Sequence, residues 1–416
     1  MQALKFLSVV TLLSGPVLAQ SVRQPAAAPK ETLYQAEATG LSGVKIPFRL
    51  AMEGVGTSAK STPKAWLVNG TERLLLQARK GLKDTLVYPL VVFDADLKLL
   101  KNGANLTGIY ARYDARGGTV RIPITARPTL PFRSKKLLHT RRYDVRFCAP
   151  DGSGAYQAVG QLGTVEGPTG VKAIGTFETT TGDYRFLEGA VSGDSLWLST
   201  FDGAHLYLFT ARMRGDSLVG GRFYSATGKG YEVWAGKLNP GAALPNPLGR
   251  VSAKPEVPVA ITAQDTAGHT VRLTDPRFAG KPVIVQLSGT WCPNCMDETQ
   301  FMAEWYRSPA RKNIEVLGLF FERKPERAYW KHRLARTAER LQVPYPLAYA
   351  GPASKDSAAA RLPFLTHVEA FPTTVFLDRK HRVVAVHTGF SGPATGAAFD
   401  EWKKEFERLI INILKD

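Results

Sequence analysis

The feature that most constrains the fold is one change of hydrophobic period, at a proline-rich break. From about Ala28 to Asn239, short alternating runs recur between Gly, Asp and Asn turns: Ala65-Trp-Leu-Val, Thr119-Val-Arg-Ile-Pro-Ile, Tyr143-Asp-Val-Arg-Phe and Leu206-Tyr-Leu-Phe. Alternation puts every second side chain on one side of a sheet. No segment of this half carries the stripe of an amphipathic helix, so residues 28–239 are expected to form an all-β domain, a sandwich or a barrel-like sheet. Gly193-Asp-Ser-Leu and Gly215-Asp-Ser-Leu repeat one turn-then-strand phrase 22 residues apart, as successive hairpins of a meander would. Residues 240–258 hold five prolines and two glycines and read as an interdomain linker without regular structure. Beyond it the texture changes. Apolar strand-like runs (Val271–Leu273, Val283–Leu287, Ile314–Phe321, Thr374–Leu377, Val383–His387) alternate with helical patterns (Arg327–Leu341, Phe399–Leu414). Residues 259–416 are therefore expected to be an α/β domain around a mixed sheet.

Within this second region, Trp291-Cys292-Pro293-Asn294-Cys295 follows the buried-strand sequence Lys281–Leu287 and precedes a helix-compatible segment from Met296 to about Arg307. Two of the chain's three cysteines stand there. The spacing lets the first thiol occupy a helix N-terminus while the second lies within disulfide reach. The helix end favours thiolate over thiol, which makes Cys292 a usable nucleophile near neutral pH. A cysteine pair at a strand-to-helix junction reads as a redox site. Half a zinc site is the other use of this spacing, but no second pair exists to complete one.

The C-terminal portion, about 160 residues, resembles the TlpA-like branch of the thioredoxin superfamily. The resemblance rests on Gly280-Lys281 before the strand, Trp291 before the cysteine pair, and Phe371-Pro-Thr-Thr-Val-Phe376 about 80 residues later. It implies an α/β thioredoxin fold for residues 259–416 and an exported disulfide reductase with no bound cofactor. It makes Cys292 the exposed nucleophile that forms a mixed disulfide, and Cys295 the thiol that resolves it. It implies that Pro372 is cis and turns the main chain at Phe371 toward Cys292, offering backbone pairing to a bound peptide. Trp291 would form an apolar shoulder beside the thiolate. Glu298 stands three residues beyond Cys295, where the family carries an acid implicated in proton traffic to the buried thiol, against the plain reading of a solvated helix glutamate. Two positions depart from the pattern. Thr299-Gln300 lack the proline usual soon after that acid, and Gln286 replaces the buried aspartate of ordinary thioredoxins, so it can hydrogen-bond but not titrate. The implied partners are disulfide-bearing exported proteins, apocytochrome c among them, and a membrane-associated thiol donor.

The rest of the sequence adds bounds. Residues 1–19 read as a secretory signal: Lys5, the apolar run Phe6–Leu13, then Val17-Leu18-Ala19 before Gln20. This predicts an exported, periplasmic and soluble protein. Export with so few cysteines argues against a disulfide scaffold. A formal charge of +18 without a nucleic-acid-binding motif reads as a basic envelope protein that takes no nucleic acid. The basic segment Arg327–Arg340 reads as a solvated helix face, with an acidic partner surface as the alternative. Cys148 reads as an unpaired strand cysteine at a domain edge, with a redox partnership to Cys292 as the sharper option. Gly-Asp-Ser-Leu imitates a lipase signature, but an all-strand context lacks the base and oxyanion hole of a serine hydrolase. No histidines show metal-ligand spacing. Two rival functions stand beside the reductase: a peroxiredoxin-like peroxidase, and a β-domain binding module with an accessory redox domain.

Overall fold

The structure, a computed structural model, describes residues 31–53, 63–79, 85–90, 93–113, 118–130, 136–167 and 170–415. The predicted signal, residues 1–19, lies outside the described residues.

The β half contains two antiparallel sheets. The first has eight strands: Glu31–Thr39 (β1), Lys45–Glu53 (β2), Lys64–Asn69 (β3), Glu72–Leu76 (β4), Thr85–Leu90 (β5), Ala95–Asn102 (β6), Asn105–Tyr113 (β7) and Thr119–Thr129 (β8). Each pairs antiparallel with its neighbour in sequence, except that β4 and β5 meet only through an Arg79–Val87 bridge, and β1 pairs β8 to complete the ring. This is an up-and-down barrel, closed between β4 and β5 by that single bridge. Its interior is filled by Tyr34, Leu50, Leu67, Tyr88, Leu97, Tyr110 and Ile122.

The second sheet runs through Lys136–Cys148 (β9), Tyr156–Gly167 (β10), Gly170–Thr179 (β11), the short Gly182–Asp183 (β12), Leu187–Ser192 (β13), Ser195–Phe201 (β14), Leu206–Arg214 (β15), Ser217–Ser225 (β16) and Glu232–Leu238 (β17). β17 returns to pair β9, and β10 pairs β11, so this sheet closes too. The repeated Gly-Asp phrases are two-residue hairpin turns, joining Ser192 to Ser195 and Arg214 to Ser217. Gly193 and Gly215 take φ of 60° and 57° there, the left-handed first position that favours glycine. The interior is an aromatic stack in which Phe147 contacts Phe177, Phe209, Phe223 and Trp234. The turn between β14 and β15 plugs the first barrel: Phe201 meets Phe48 and Tyr110 edge-on, at centroid distances of 5.1 and 5.0 Å. The second sheet thus lends Phe201, Leu206 and Tyr224 to the core of the first barrel, while its own aromatic interior forms a separate cluster.

Residues 240–258 form no helix or strand, yet they are strapped to the C-terminal layer. Leu248 bridges His387, Ala253 bridges Leu365, and Val251 is buried in the core beneath them. That C-terminal layer is a seven-stranded mixed sheet. It is built from Thr262–Asp265 (β18), Thr270–Arg272 (β19), Val283–Ser288 (β20), Glu315–Glu322 (β21), Leu347–Pro352 (β22), Thr373–Leu377 (β23) and Val383–Thr388 (β24), with helices Pro293–Arg307 (α1), Arg327–Leu341 (α2), Lys355–Arg361 (α3) and Ala397–Ile413 (α4). Spatial order is β19-β18-β22-β21-β20-β23-β24, with β20, β21 and β22 parallel. Alternation along β20 divides the layers. Ile284 packs with α1, α2 and α4 through Met302, Leu334 and Phe406. Val283, Val285 and Leu287 face Phe278, Ala358 and Phe364 on the other side.

The basic helix α2 is not a wholly solvated face. Arg333 is buried and ion-pairs with Asp94 of the first barrel, and Tyr329 donates to the same carboxylate at 2.5 Å. Asp94 is thus an intramolecular acid for Arg333, while Lys331 and His332 remain exposed as the solvated-face reading expects.

Candidate functional site

β20 ends at Ser288 and the chain turns at Gly289–Trp291 into α1. Gly289 is required by close approach, because a Cβ there would overlap the Trp291 indole nitrogen. Trp291 is fixed by donation from Nε1 to the Phe321 carbonyl at 2.8 Å, and its ring meets Phe371 edge-on at 5.7 Å. Cys292 is the N-cap of α1, with extended backbone and Pro293 at the first helical position. Its Sγ accepts from the Cys295 amide at 3.2 Å. This bond to one of the otherwise unpaired amides of the helix start also stabilises a thiolate. Cys292 and Cys295 are joined as a disulfide, with Cα atoms 5.2 Å apart. Cys295 is fully buried and Cys292 is 9% exposed, so the first sulfur faces what solvent there is.

The Phe371–Pro372 bond is cis. The Phe371 carbonyl oxygen lies 3.7 Å from Cys292 Sγ, so the main chain before β23 runs alongside the nucleophile.

Beneath the pair is a buried polar chain. Glu298 is inaccessible to solvent and accepts from Gln286 Nε2 and Thr374 Oγ1, each at 2.8 Å. Burial pushes its carboxyl up to about 7, against the opposing effect of those two bonds. Gln286 occupies the inward face of β20 because alternation there points its side chain at α1. Its amide nitrogen serves Glu298 while its oxygen accepts from Thr299 at 3.3 Å and Tyr345 at 3.5 Å. Glu298 is thus not the solvated helix residue of the plain reading.

Several acidic or basic groups at the site were missed by sequence reasoning. Glu322, the last residue of β21, is buried and accepts from the Thr290 amide and hydroxyl, both at 2.9 Å. Burial pushes it up to about 7, opposed by those bonds. The others form the seam with the barrels. Arg185, after β12, is 7% exposed. It ion-pairs with Asp297 of α1, with Glu72 of the first barrel at 2.5 Å and with Asp202 of the second at 3.8 Å, and approaches the Pro293 carbonyl at 3.4 Å. Asp183 accepts from the Gly392 and Arg185 amides, both at 2.6 Å. Burial first, then the nearby Asp297 charge, pushes Asp183 up to about 7. Asn294 donates to the Asp183 carbonyl at 3.1 Å, and Gly182 packs so closely that a Cβ there would overlap the Asn294 amide. The signals available were faint: an acid closing an apolar strand, and a Gly-Asp-Tyr-Arg turn with no partner visible in sequence.

Cys148 is unpaired and half-exposed at the end of β9. Tyr143, Val145 and Phe147 alternate into the barrel, so Cys148 points away from it. Among the described residues no cluster of His, Cys, Asp or Glu could hold a metal ion. No helix among them is long and apolar enough to cross a membrane.

The strand–cysteine-pair–helix junction facing a cis-proline defines a thioredoxin-like C-terminal region. Residues 256–386 match the model of the AhpC/TSA family. A relative is the thiol-disulfide oxidoreductase ResA of Geobacillus kaustophilus (strain HTA426), 28% identical over 125 residues. That match covers 30% of this chain and spans 63% of the relative's length. Solved structures with similarity include a thiol:disulfide interchange protein of Chlorobium tepidum TLS (18% identity, TM-score 0.29, 39% of this chain and 98% of that one). A secreted thiol-disulfide isomerase of Corynebacterium glutamicum is similar at 21% identity and TM-score 0.29, covering 41% of this chain and 97% of that one. All these matches leave the greater part of the chain uncovered.

Proposed function

We propose that this protein is an exported thiol-disulfide oxidoreductase that reduces disulfides of other exported proteins through the Cys292–Cys295 dithiol. The observation that carries the reading is the cysteine pair at the N-terminus of α1, its first sulfur 3.7 Å from the carbonyl beside a cis-proline. Cys292 as thiolate attacks one sulfur of a substrate disulfide, and the other sulfur leaves as a thiolate and takes a proton. Cys295, one helical turn on, then attacks Cys292 Sγ and releases the second substrate thiol. Cys295 must lose a proton for that step. Glu298 is the nearby carboxyl whose raised affinity lets it hold a proton near neutrality. Trp291, Phe371 and Pro372 line the approach and bind the substrate backbone. Residues 1–19 support export to the periplasm, where a membrane-associated thiol donor would return electrons and apocytochrome c would be one acceptor. A Cys292→Ser variant is expected to lose turnover of a protein disulfide. Retained turnover would sink the mechanism. The closely spaced resolving thiol argues against a peroxidase, and steady consumption of hydrogen peroxide by the reduced protein would restore that rival.

A further inference from the structure

The redox pair opens into a cleft of about 490 Å³ that the C-terminal region does not build alone. One wall is Trp291, Cys292, Asn294 and Phe371, and the other is the open end of the second barrel. Three tyrosines of that barrel end, Tyr156, Tyr184 and Tyr207, together with His205, line the cleft opposite Cys292. They are held as a set. The Tyr156 and Tyr184 hydroxyls meet at 2.7 Å, Tyr156 donates to Glu232 at 2.7 Å, and His205 stacks on Tyr207 at 4.6 Å. Gly182, at the end of the Thr179–Gly182 turn, packs against the Asn294 side chain, and Cys292 beside it is 9% exposed. Arg323 closes one side of the cleft with its guanidinium over Trp291 at 5.7 Å. Among the described residues no carboxylate stands within ion-pair distance of it, whereas Arg185 across the cleft is matched by three.

Resting on the oxidoreductase reading above, we propose that the second barrel is the substrate-selecting roof of the redox site. It admits an extended polypeptide segment that carries an aromatic side chain beside its disulfide cysteine and an acidic side chain for Arg323. Tyrosine-lined walls recognise aromatic rings through offset and edge contacts, and an unpaired cation in a half-buried cleft favours an anion. A disulfide on the convex face of a folded domain meets the Thr179–Gly182 turn before it meets Cys292. The electron balance is unchanged: two electrons and two protons pass from the dithiol to the substrate, and the protein is left as the Cys292–Cys295 disulfide.

The test uses the reduced full chain and short unstructured peptides whose single cysteine is blocked by cysteamine. One carries Tyr next to Cys and a nearby Glu, and the others replace Tyr by Gly or Glu by Gln. Release of cysteamine should be about fivefold faster with Tyr than with Gly, and about threefold faster with Glu than with Gln. Tyr207→Leu should narrow the first ratio and Arg323→Gln the second. Each ratio is internal to one protein, so partial loss of folded material does not mimic the effect. Equal rates for all peptides would overturn the proposal, as would reduction of native lysozyme as fast as of the linear peptide. Failure of the protein to react with cystamine, a disulfide too small to need the roof, would overturn the oxidoreductase reading and this one with it.

Discussion

Replacing Glu298 by Gln gives the most informative perturbation of the site. The carboxyl is fully buried and its affinity for a proton rises from 4.5 to about 7, burial being the cause. A shift of that size corresponds to about 3 kcal/mol between the two protonation states. The sign follows from linkage. Below the unfolded value both states are protonated and the group takes nothing from stability. Between 4.5 and about 7 the folded state holds the proton that the unfolded state has released, so stability falls as pH rises. Above that window the penalty is complete. Glutamine keeps the shape and can still accept from Gln286 and bond Thr374, but carries no charge to desolvate. Glu298→Gln should therefore match the wild type near pH 4 and exceed it at pH 8 by up to about 3 kcal/mol, reduced by any loss in hydrogen-bond geometry. Urea unfolding across this range, with a probe in the C-terminal region, reads the difference. Asp183 and Glu322 share the same trend, which is why the comparison of the two proteins, and not either curve alone, carries the test. Parallel curves would refute the reasoning. The same variant should slow resolution of the mixed disulfide if Glu298 receives the Cys295 proton.

Other outcomes follow from the seam and the free thiol. Arg185→Met leaves Glu72, Asp202 and Asp297 without their shared cation, and should destabilise the packing of the barrels on the C-terminal region by about 3–5 kcal/mol at neutral pH. The loss should shrink as Asp183 and Asp297, both raised by burial, take up protons; denaturation at pH 5 and pH 8 checks it. Gly182→Ala forces the turn off Asn294 and should raise alkylation of reduced Cys292 by bulky reagents more than by small ones. Cys148→Ser should leave turnover intact, and disulfide mapping after mild oxidation should find no Cys148 linkage.

What sequence could and could not reveal divides by distance along the chain. Cys292, Cys295 and Glu298 lie within seven residues, so their common helix face was readable from spacing alone. Pro372 was found through its motif, and cis geometry stands there. Gln286 was visible as a departure, but its bond to Glu298 joins a strand to a helix and needed the fold. The barrels were harder. Period two in β1–β17 specifies one apolar face and is blind to whether that face meets a second sheet or curls onto itself. Closure rests on pairings such as β1 with β8 and β9 with β17, between segments far apart in sequence. Arg185 was invisible for a related reason: its partners lie in three separate parts of the chain, and a lone arginine after a strand resembles any solvated turn residue. Arg333 on the basic helix was misjudged likewise, since its acid, Asp94, stands 239 residues away in sequence.

The central claim is that Cys292 and Cys295 exchange electrons with other disulfides. Equilibrating the full chain in thiol buffers of graded potential, and reading the pair by mass after alkylation, tests it directly. A reductase should show one reversible two-electron transition near thioredoxin's roughly −270 mV, whereas a value nearer roughly −120 mV would make the pair a disulfide donor instead. A pair that stays oxidised below roughly −300 mV would be a structural bridge, and would contradict the account.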